Sequence, residues 1–313
     1  MTRIIFLLFF LLPLQLFSQQ FEWASSGDNL NGGVTTSALD RQGNLVVAIE
    51  AQSGWSYDSR SGLYSSSGDS INLYRGDYIL FVSYGKDGKI SWYRKMDHIR
   101  DPMGMGLDKN GNVVALVRNM RNIYISEVGK ETGNTEYIVL KFDEQGKMTD
   151  IVQDSLGIID DPIRFMVSST GGFLVAQNEH KYEDNGRGGR QEMQYDVVYS
   201  LDENLKPKWT ERIRYTDGHG YFVPGVLIDE APDGTVYVLT TIAGGVTFQG
   251  KRFTPPILDS VHQYNRPYEA YLASYTKDGK LKWVKNSGGK SIFSSLKATG
   301  NVVLIGGTIN NNH

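Results

Sequence analysis

Along most of this chain apolar and polar side chains alternate with a period of two, in short runs rich in Val, Ile, Tyr and Phe. Such runs predict strands, and no long amphipathic helical pattern competes with them. Two recurring turn signals separate the runs. The first is an Asp- or Ser-led turn closed by Gly that opens into an apolar run. It appears at Asp40-Arg41-Gln42-Gly43-Asn44-Leu45-Val46, Asp108-Lys109-Asn110-Gly111-Asn112-Val113-Val114, Ser169-Thr170-Gly171-Gly172-Phe173, Pro232-Asp233-Gly234-Thr235-Val236 and Thr299-Gly300-Asn301-Val302-Val303. Its glycines at 43, 111, 171, 234 and 300 stand 68, 60, 63 and 66 residues apart. The second joins an aromatic or apolar strand to a Lys-bearing turn and usually a Trp. Its copies are Phe81 to Trp92, Val139 to Met148, Val198 to Trp209 and Ala273 to Trp283.

Each copy of the second signal lies between two copies of the first, so the unit is a pair of hairpins, four strands A to D. In the second unit strands are expected near 102–108, 112–118, 135–143 and 147–153. A four-stranded sheet cannot bury both of its faces alone, whereas sheets stacked radially about an axis can. The expected fold is therefore all-β, a β-propeller of four-stranded antiparallel blades with about four and a half repeats: 27–98, 99–157, 158–218, 219–289 and a partial 290–313. Trp23 in Phe21-Glu22-Trp23-Ala24-Ser25 resembles the strands of Trp92, Trp209 and Trp283, which suggests that the mature N-terminus closes the ring. The fifth repeat ends after its second strand, and a ring truncated at its C-terminal side is expected.

These residues resemble the SBBP repeat, a bacterial seven-bladed propeller repeat of secreted and surface proteins of Bacteroidota. The resemblance is carried by Asp233-Gly234-Thr235-Val236-Tyr237-Val238, Gly244-Gly245-Val246-Thr247-Phe248-Gln249-Gly250, Tyr268 to Tyr275 and Asp278-Gly279-Lys280-Leu281-Lys282-Trp283. The middle repeats lack the Gly-Val-x-Phe loop, Asp150 stands where Trp is expected, and Leu205 replaces the turn Gly. The resemblance implies a fold and an extracellular location, with type IX secretion as the route, and attaches no reaction.

Residues 1–18 read as a secretory signal peptide: Arg3, an apolar run from Ile4 to Leu12, Pro13, and a small residue at Ser18. The run is too short and broken for a membrane span. Residues 19–313 then form the repeats, and a secreted or outer-membrane-surface location follows. The chain has no Cys, which excludes disulfides, thiolate chemistry and lipid anchoring through an N-terminal Cys. With 32 Lys and Arg against 35 Asp and Glu it lacks the basic excess of a nucleic-acid binder.

In a four-stranded blade the A–B and C–D turns share one rim, and the longer B–C and D–A connections share the other. The B–C connections near 53–76, 119–134, 179–194 and 243–267 are rich in Ser, Gly, Tyr and Arg. Long loops on a rigid scaffold are where recognition concentrates. Aromatic platforms and donors for a glycan or protein ligand are offered by Trp55, Tyr57, Tyr64, Arg75, Tyr124, Tyr182, Arg187, Arg190, Phe248, Arg252 and Tyr264. A bland reading competes: the loops merely cover the rim.

Other motifs fall short of a site. Gly245 to Arg252 has the Gly-x4-Gly-Lys of a phosphate loop, but Arg252 replaces the hydroxyl and Pro255-Pro256 block the following helix. Gly104-Met105-Gly106 lies in a strand. The five histidines are scattered, and Asp229, Glu230 and Asp233 could begin a calcium site or simply build a turn. No catalytic residue, metal or cofactor is expected. The function expected is a secreted binding or structural module, the alternative being a propeller hydrolase, lyase or quinone-dependent oxidoreductase with its site in a central channel.

Overall fold

The computed structural model describes residues 26–28, 31–52, 61–64, 68, 70–73, 78–160, 162–184, 189–215, 226–242, 245–254, 269–288, 291–300 and 302–309. The expected signal peptide and Trp23 lie outside these. The described residues are all-β, in several antiparallel sheets, with no helix among them.

The first unit runs β1 (Ser26–Asp28), β2 (Asn31–Leu39), β3 (Leu45–Gln52), β4 (Ser61–Tyr64), β5 (Ser70–Leu73), β6 (Tyr78–Tyr84) and β7 (Ile90–Asp97). Strands β2, β3, β6 and β7 make one sheet in that order, and β1, β4 and β5 make a smaller one. The second unit runs β8 (Ile99–Leu107), β9 (Val113–Asn119), β10 (Tyr124–Ile125), β11 (Lys130–Glu131), β12 (Tyr137–Phe142) and β13 (Met148–Gln153). Its sheet is β8-β9-β12-β13, close to the expected bounds. The third unit is β14 (Pro162–Val167), β15 (Phe173–Asp184), β16 (Arg190–Leu201) and β17 (Pro207–Tyr215). The fourth is β18 (Leu227–Glu230), β19 (Val236–Ile242), β20 (Val246–Phe248), β21 (Lys251–Phe253), β22 (Glu269–Tyr275) and β23 (Leu281–Asn286), and the last is the pair β24 (Ser291–Thr299) and β25 (Val302–Ile309).

All eight tight turns of the first four units have one geometry. At the first, Asp40 C=O accepts the N–H of Gly43 at 3.0 Å and Asp40 N–H donates to Asn44 C=O at 2.9 Å. The fourth turn residue has positive φ, +82° at Gly43, the usual reason for Gly there. Where Asp leads, its carboxylate also accepts two backbone N–H groups, as Asp40, Asp108, Asp143 and Asp202 all do. The lysines that follow the C–D turns, Lys89, Lys147, Lys206 and Lys280, are exposed as solvent-facing positions should be.

In the first four units the second strands open on an apolar run because both of its faces are covered. Val113, Ala115 and Val117 share a core with Val46, Ala48, Ile79 and Phe81 of the first sheet. Val114 and Leu116 share another with Phe173, Val175 and Val197 of the third. A third core joins sheets three and four through Leu174, Ala176, Val198, Val236, Val238 and Tyr271. First strands touch in succession, β2 to β8, β8 to β14, β14 to β18 and β18 to β24. Gly104 and Gly106 have their explanation here: a Cβ on either would stand 3.1 Å from the Cβ of Phe165 or Val167 on β14.

The tryptophans bind successive units. Trp92 of β7 lies over the C–D turn of the second unit, where a Cβ on Gly146 would stand 2.8 Å from its Cγ. Trp209 of β17 lies likewise over Gly279, at 2.6 Å, and its indole N–H donates to Lys277 C=O. Between the second and third units both partners change together. Asp150 takes the Trp position and turns to Lys130 at 2.6 Å, while Leu205 takes the turn position at φ +61° and is only 1 % exposed. Leu205 belongs to the core shared by the second and third units, and its burial offsets a left-handed backbone that costs about 1–2 kcal/mol.

Gly146→Ala is expected to destabilise the fold by about 2–4 kcal/mol, from the positive φ and from overpacking against Trp92. Leu205→Gly is expected to cost about 2–4 kcal/mol through its cavity, and adding Asp150→Trp to it to recover a large part of that loss. Denaturant unfolding of the single and double variants measures both, and strict additivity of Asp150→Trp and Leu205→Gly would contradict the complementarity.

Candidate functional site

The B–C connections do not simply line a rim. In the fourth unit, β20 and β21 leave their own sheet and pair with β17, through Arg214 with Thr247 and Tyr215 with Val246, making the third sheet six-stranded. The segment that resembled a phosphate loop is this hairpin, its tip at Gln249 and Gly250, both with positive φ as a two-residue hairpin turn requires. Gln249 then fastens two units. Its N–H donates to Glu211 of β17 at 3.0 Å, its side-chain carbonyl accepts Leu281 N–H at 3.2 Å, and its amide donates to Gly279 C=O at 2.6 Å. In the second unit Glu127, between β10 and β11, plays the same part. It pairs with Arg94 of β7 at 3.0 Å and accepts Met148 N–H, while Arg94 donates to Gly146 C=O.

This placement corrects part of the expected binding set. Phe248 is fully buried and packs edge-on against Phe253 with ring centroids 5.8 Å apart, so it is core and offers no face to a ligand. Tyr124 and Tyr182 are 65 % and 67 % exposed, on the connections of two different units. Tyr64 and Arg190 are placed by backbone alone, at the end of β4 and the start of β16. Trp55, Tyr57, Arg75, Arg187 and Tyr264 lie outside the described residues.

Arg252 is the expected residue that reaches a cleft. The β20–β21 hairpin and the neighbouring ends of β22 and β23 enclose an open cleft of ≈ 540 Å³ lined by Arg252, Phe253, Thr254, Tyr271, Val284, Lys285 and Asn286. Phe253, Tyr271 and Val284 give it an apolar and aromatic floor. Arg252, Thr254, Lys285 and Asn286 give it a polar rim with two cations, and no carboxylate is among the described lining residues. Lys285 is held near the face of Trp283, 5.3 Å from the ring centroid. Tyr271 donates its hydroxyl to Glu269 at 3.0 Å. Sequence reading missed Lys285, Asn286 and Tyr271 because they sit in strands rather than loops. The available signal was the Lys two residues after the repeat Trp.

Behind the cleft, the interface of sheets three and four holds buried acids. Asp196 of β16 accepts the Thr240 hydroxyl at 2.8 Å. Burial raises its pKa, against the donated hydrogen bonds of Tyr215 and Thr240. Burial likewise raises Glu211 against donation from Gln249. Glu179, nearer the surface of β15, is lowered: its burial is outweighed by donation from Tyr199 at 2.6 Å, Lys181 and Arg212.

The remaining motifs resolve as structure. Asp229 accepts Ala298 N–H at 2.6 Å and pairs with Lys297 at 3.2 Å, Glu230 accepts the Ser168 hydroxyl at 2.9 Å, and Asp233 holds Thr235. Turned to three different partners, they do not converge on a cation. Among the described residues no group of three His, Asp or Glu could hold a metal, and no helix is long and apolar enough to cross a membrane.

No protein-family model matches the chain, and no curated protein matches it. Among the solved structures similar at low level are two from Bacteroides. A protein of unknown function from Bacteroides caccae is 10 % identical, with 82 % of each chain covered and a TM-score of 0.30. A member of the DUF4221 family from Bacteroides vulgatus is 9 % identical, with 86 % of each chain covered and a TM-score of 0.26.

Asp196 sets a pH dependence. A carboxyl whose folded pKa is raised favours the fold fully below its unfolded value of about 3.9, and that contribution is lost as pH rises through the folded value. Asp196→Asn is therefore expected to unfold about 2–4 °C higher than the parent at about pH 8, with the advantage shrinking toward about pH 4. Thermal unfolding across that range checks the sign, and a parent protein that gains stability on raising the pH equally in both forms would contradict it.

Proposed function

We propose that the chain is a secreted, propeller-type repeat scaffold that binds an acidic, hydroxyl-rich ligand, a glycan or a protein surface, in the cleft of Arg252 and Lys285. The propeller arrangement is supported by the succession of four-stranded antiparallel sheets whose first strands touch one after another. Secretion is supported by the leader pattern of residues 1–18.

One observation carries the binding reading: two cationic side chains, a hydroxyl and an amide surround an aromatic floor, with no carboxylate among the described lining residues. Guanidinium and ammonium groups recognise carboxylate or sulfate, and an aromatic floor suits the apolar face of a sugar ring. All of its described walls belong to the fourth unit, but β20 and β21 are paired into the third sheet while β22 and β23 are in the fourth, so the cleft depends on the strap formed by β20 and β21.

A glycan and peptide array with residues 19–313 tests this reading. Acidic oligosaccharides or acidic peptides are expected to be retained. Arg252→Ala and Lys285→Ala are each expected to weaken binding by about tenfold, as loss of a charge-assisted hydrogen bond does. Retention unaffected by both substitutions, or absent for every acidic probe, would remove the cleft as the site.

A further inference from the structure

Two B–C hairpins fasten successive units at equivalent positions, and the two latches differ in charge. Between the first and second units Arg94 stands two residues after Trp92, pairs with Glu127 of the hairpin at 3.0 Å and donates to Gly146 C=O at 2.6 Å, while Glu127 accepts Met148 N–H. Between the third and fourth units Glu211 stands two residues after Trp209 and accepts the N–H of Gln249 at 3.0 Å. Gln249 in turn donates to Gly279 C=O at 2.6 Å and accepts Leu281 N–H, so the contacts to the following C–D turn are the same in both. In the first latch a cation meets an anion. In the second a carboxylate meets a neutral amide.

That second carboxylate is buried, with Glu211 only 4 % exposed. The ring stacked on the preceding indole is Phe142 in the first latch and Tyr275 in the second, and the Tyr275 hydroxyl is buried with no hydrogen-bond partner. Tyr275 is the titratable group that faces Glu211 from β22. From β16 the same face carries Asp196, itself held by Tyr215 of β17 and Thr240 of β19, and the strap presents Gln249. Lys251, Lys277 and Lys280 are exposed, and no cation is among the groups that act on Glu211. Burial therefore raises its pKa against the donation from Gln249, and burial followed by the Glu211 charge raises Tyr275.

We propose that Glu211 is a proton-operated latch on the strap of β20 and β21: while it holds a proton the strap stays closed on β17, and when the proton leaves, the tip at Gln249 detaches and takes with it the cleft wall that carries Arg252. The inference rests on reading that cleft as the binding site and adds its regulation, a ligand held in acid and released as pH rises. Detaching the strap gives Glu211 to water, where a Glu carboxyl has its ordinary value of about 4.3. The closed strap binds the proton more tightly, so closure is fully favoured below about pH 4.3 and is lost progressively as pH rises through the higher closed value. Over that interval the opening equilibrium grows by up to about tenfold per pH unit. The hairpin of β10 and β11, latched by a cation on an anion, has no lone buried carboxylate to operate it.

Hydrogen exchange followed by mass spectrometry between about pH 4 and about pH 8, with rates corrected for the intrinsic pH dependence of exchange, tests this without ligand. Protection of 246–253 is expected to fall by about tenfold or more across the range, while that of 123–132 in the other hairpin changes by less than about twofold. Glu211→Gln, which keeps an acceptor for Gln249 N–H, is expected to hold the protection of 246–253 level. Glu211→Arg with Gln249→Glu transplants the first latch and is expected to do the same, which covers a Glu211→Gln chain that fails to fold. Level protection of 246–253 in the parent, or an equal fall in the parent and in a folded variant, would overturn the proposal. Because exchange is read with no ligand present, failure of the latch and failure of the cleft as a binding site are separate results.

Discussion

Every four-stranded sheet in this chain carries apolar side chains on both faces, and the fold follows from the need to cover them. Second strands such as Val113 to Val117 send alternate residues into two different cores, so removing either neighbour would expose a row of valines and leucines. Each fully buried aliphatic contributes about 1.5–3 kcal/mol. The stability of any unit is therefore held largely at its boundaries, as in repeat proteins whose nearest-neighbour interfaces dominate.

Those boundaries are fixed by a small set of directional contacts. Trp92 on Gly146 and Trp209 on Gly279 set the approach of successive sheets at their outer strands. Glu127 and Gln249 tie the same outer strands to the next C–D turn from the opposite side of the hairpin. Gly104 and Gly106 let the inner strands meet closely. Arg252 reaches its cleft because the hairpin that carries it is locked at Phe248 and Gln249, so the proposed recognition element and a structural strap are one piece of chain.

Strand positions and hairpin turns were legible in the sequence because they depend on local chemistry: period-two alternation and a Gly in the left-handed turn position. The two departures at Asp150 and Leu205 were visible as well, although their relation was not, since they lie in different units at equivalent places of the repeat. The B–C connections were the weakest part of the reading. Whether Val246 to Phe253 stays with its own sheet or joins β17 is decided between units, where neither alternation nor turn residues carry information. Phe248 therefore read as an exposed platform while it is core, and Lys285 and Tyr271 escaped notice because a strand residue announces its face only once the neighbouring sheet is known.

The matched change at Asp150 and Leu205 bears on how such a chain can evolve. If every unit had a Trp and every following turn a Gly, any unit could be duplicated or deleted and the new neighbours would still fit. Here the second unit has Asp150 at the Trp position and the third has Leu205 at the turn position, so the junction between these units differs in both of its members from the other two. Placing the third unit after a Trp-bearing strand would drive an indole into a leucine, and placing a Gly-turn unit after Asp150 would leave a hole. Recombination among the repeats is thereby confined to registers that keep that pair together, which gives the order of the units a heredity of its own.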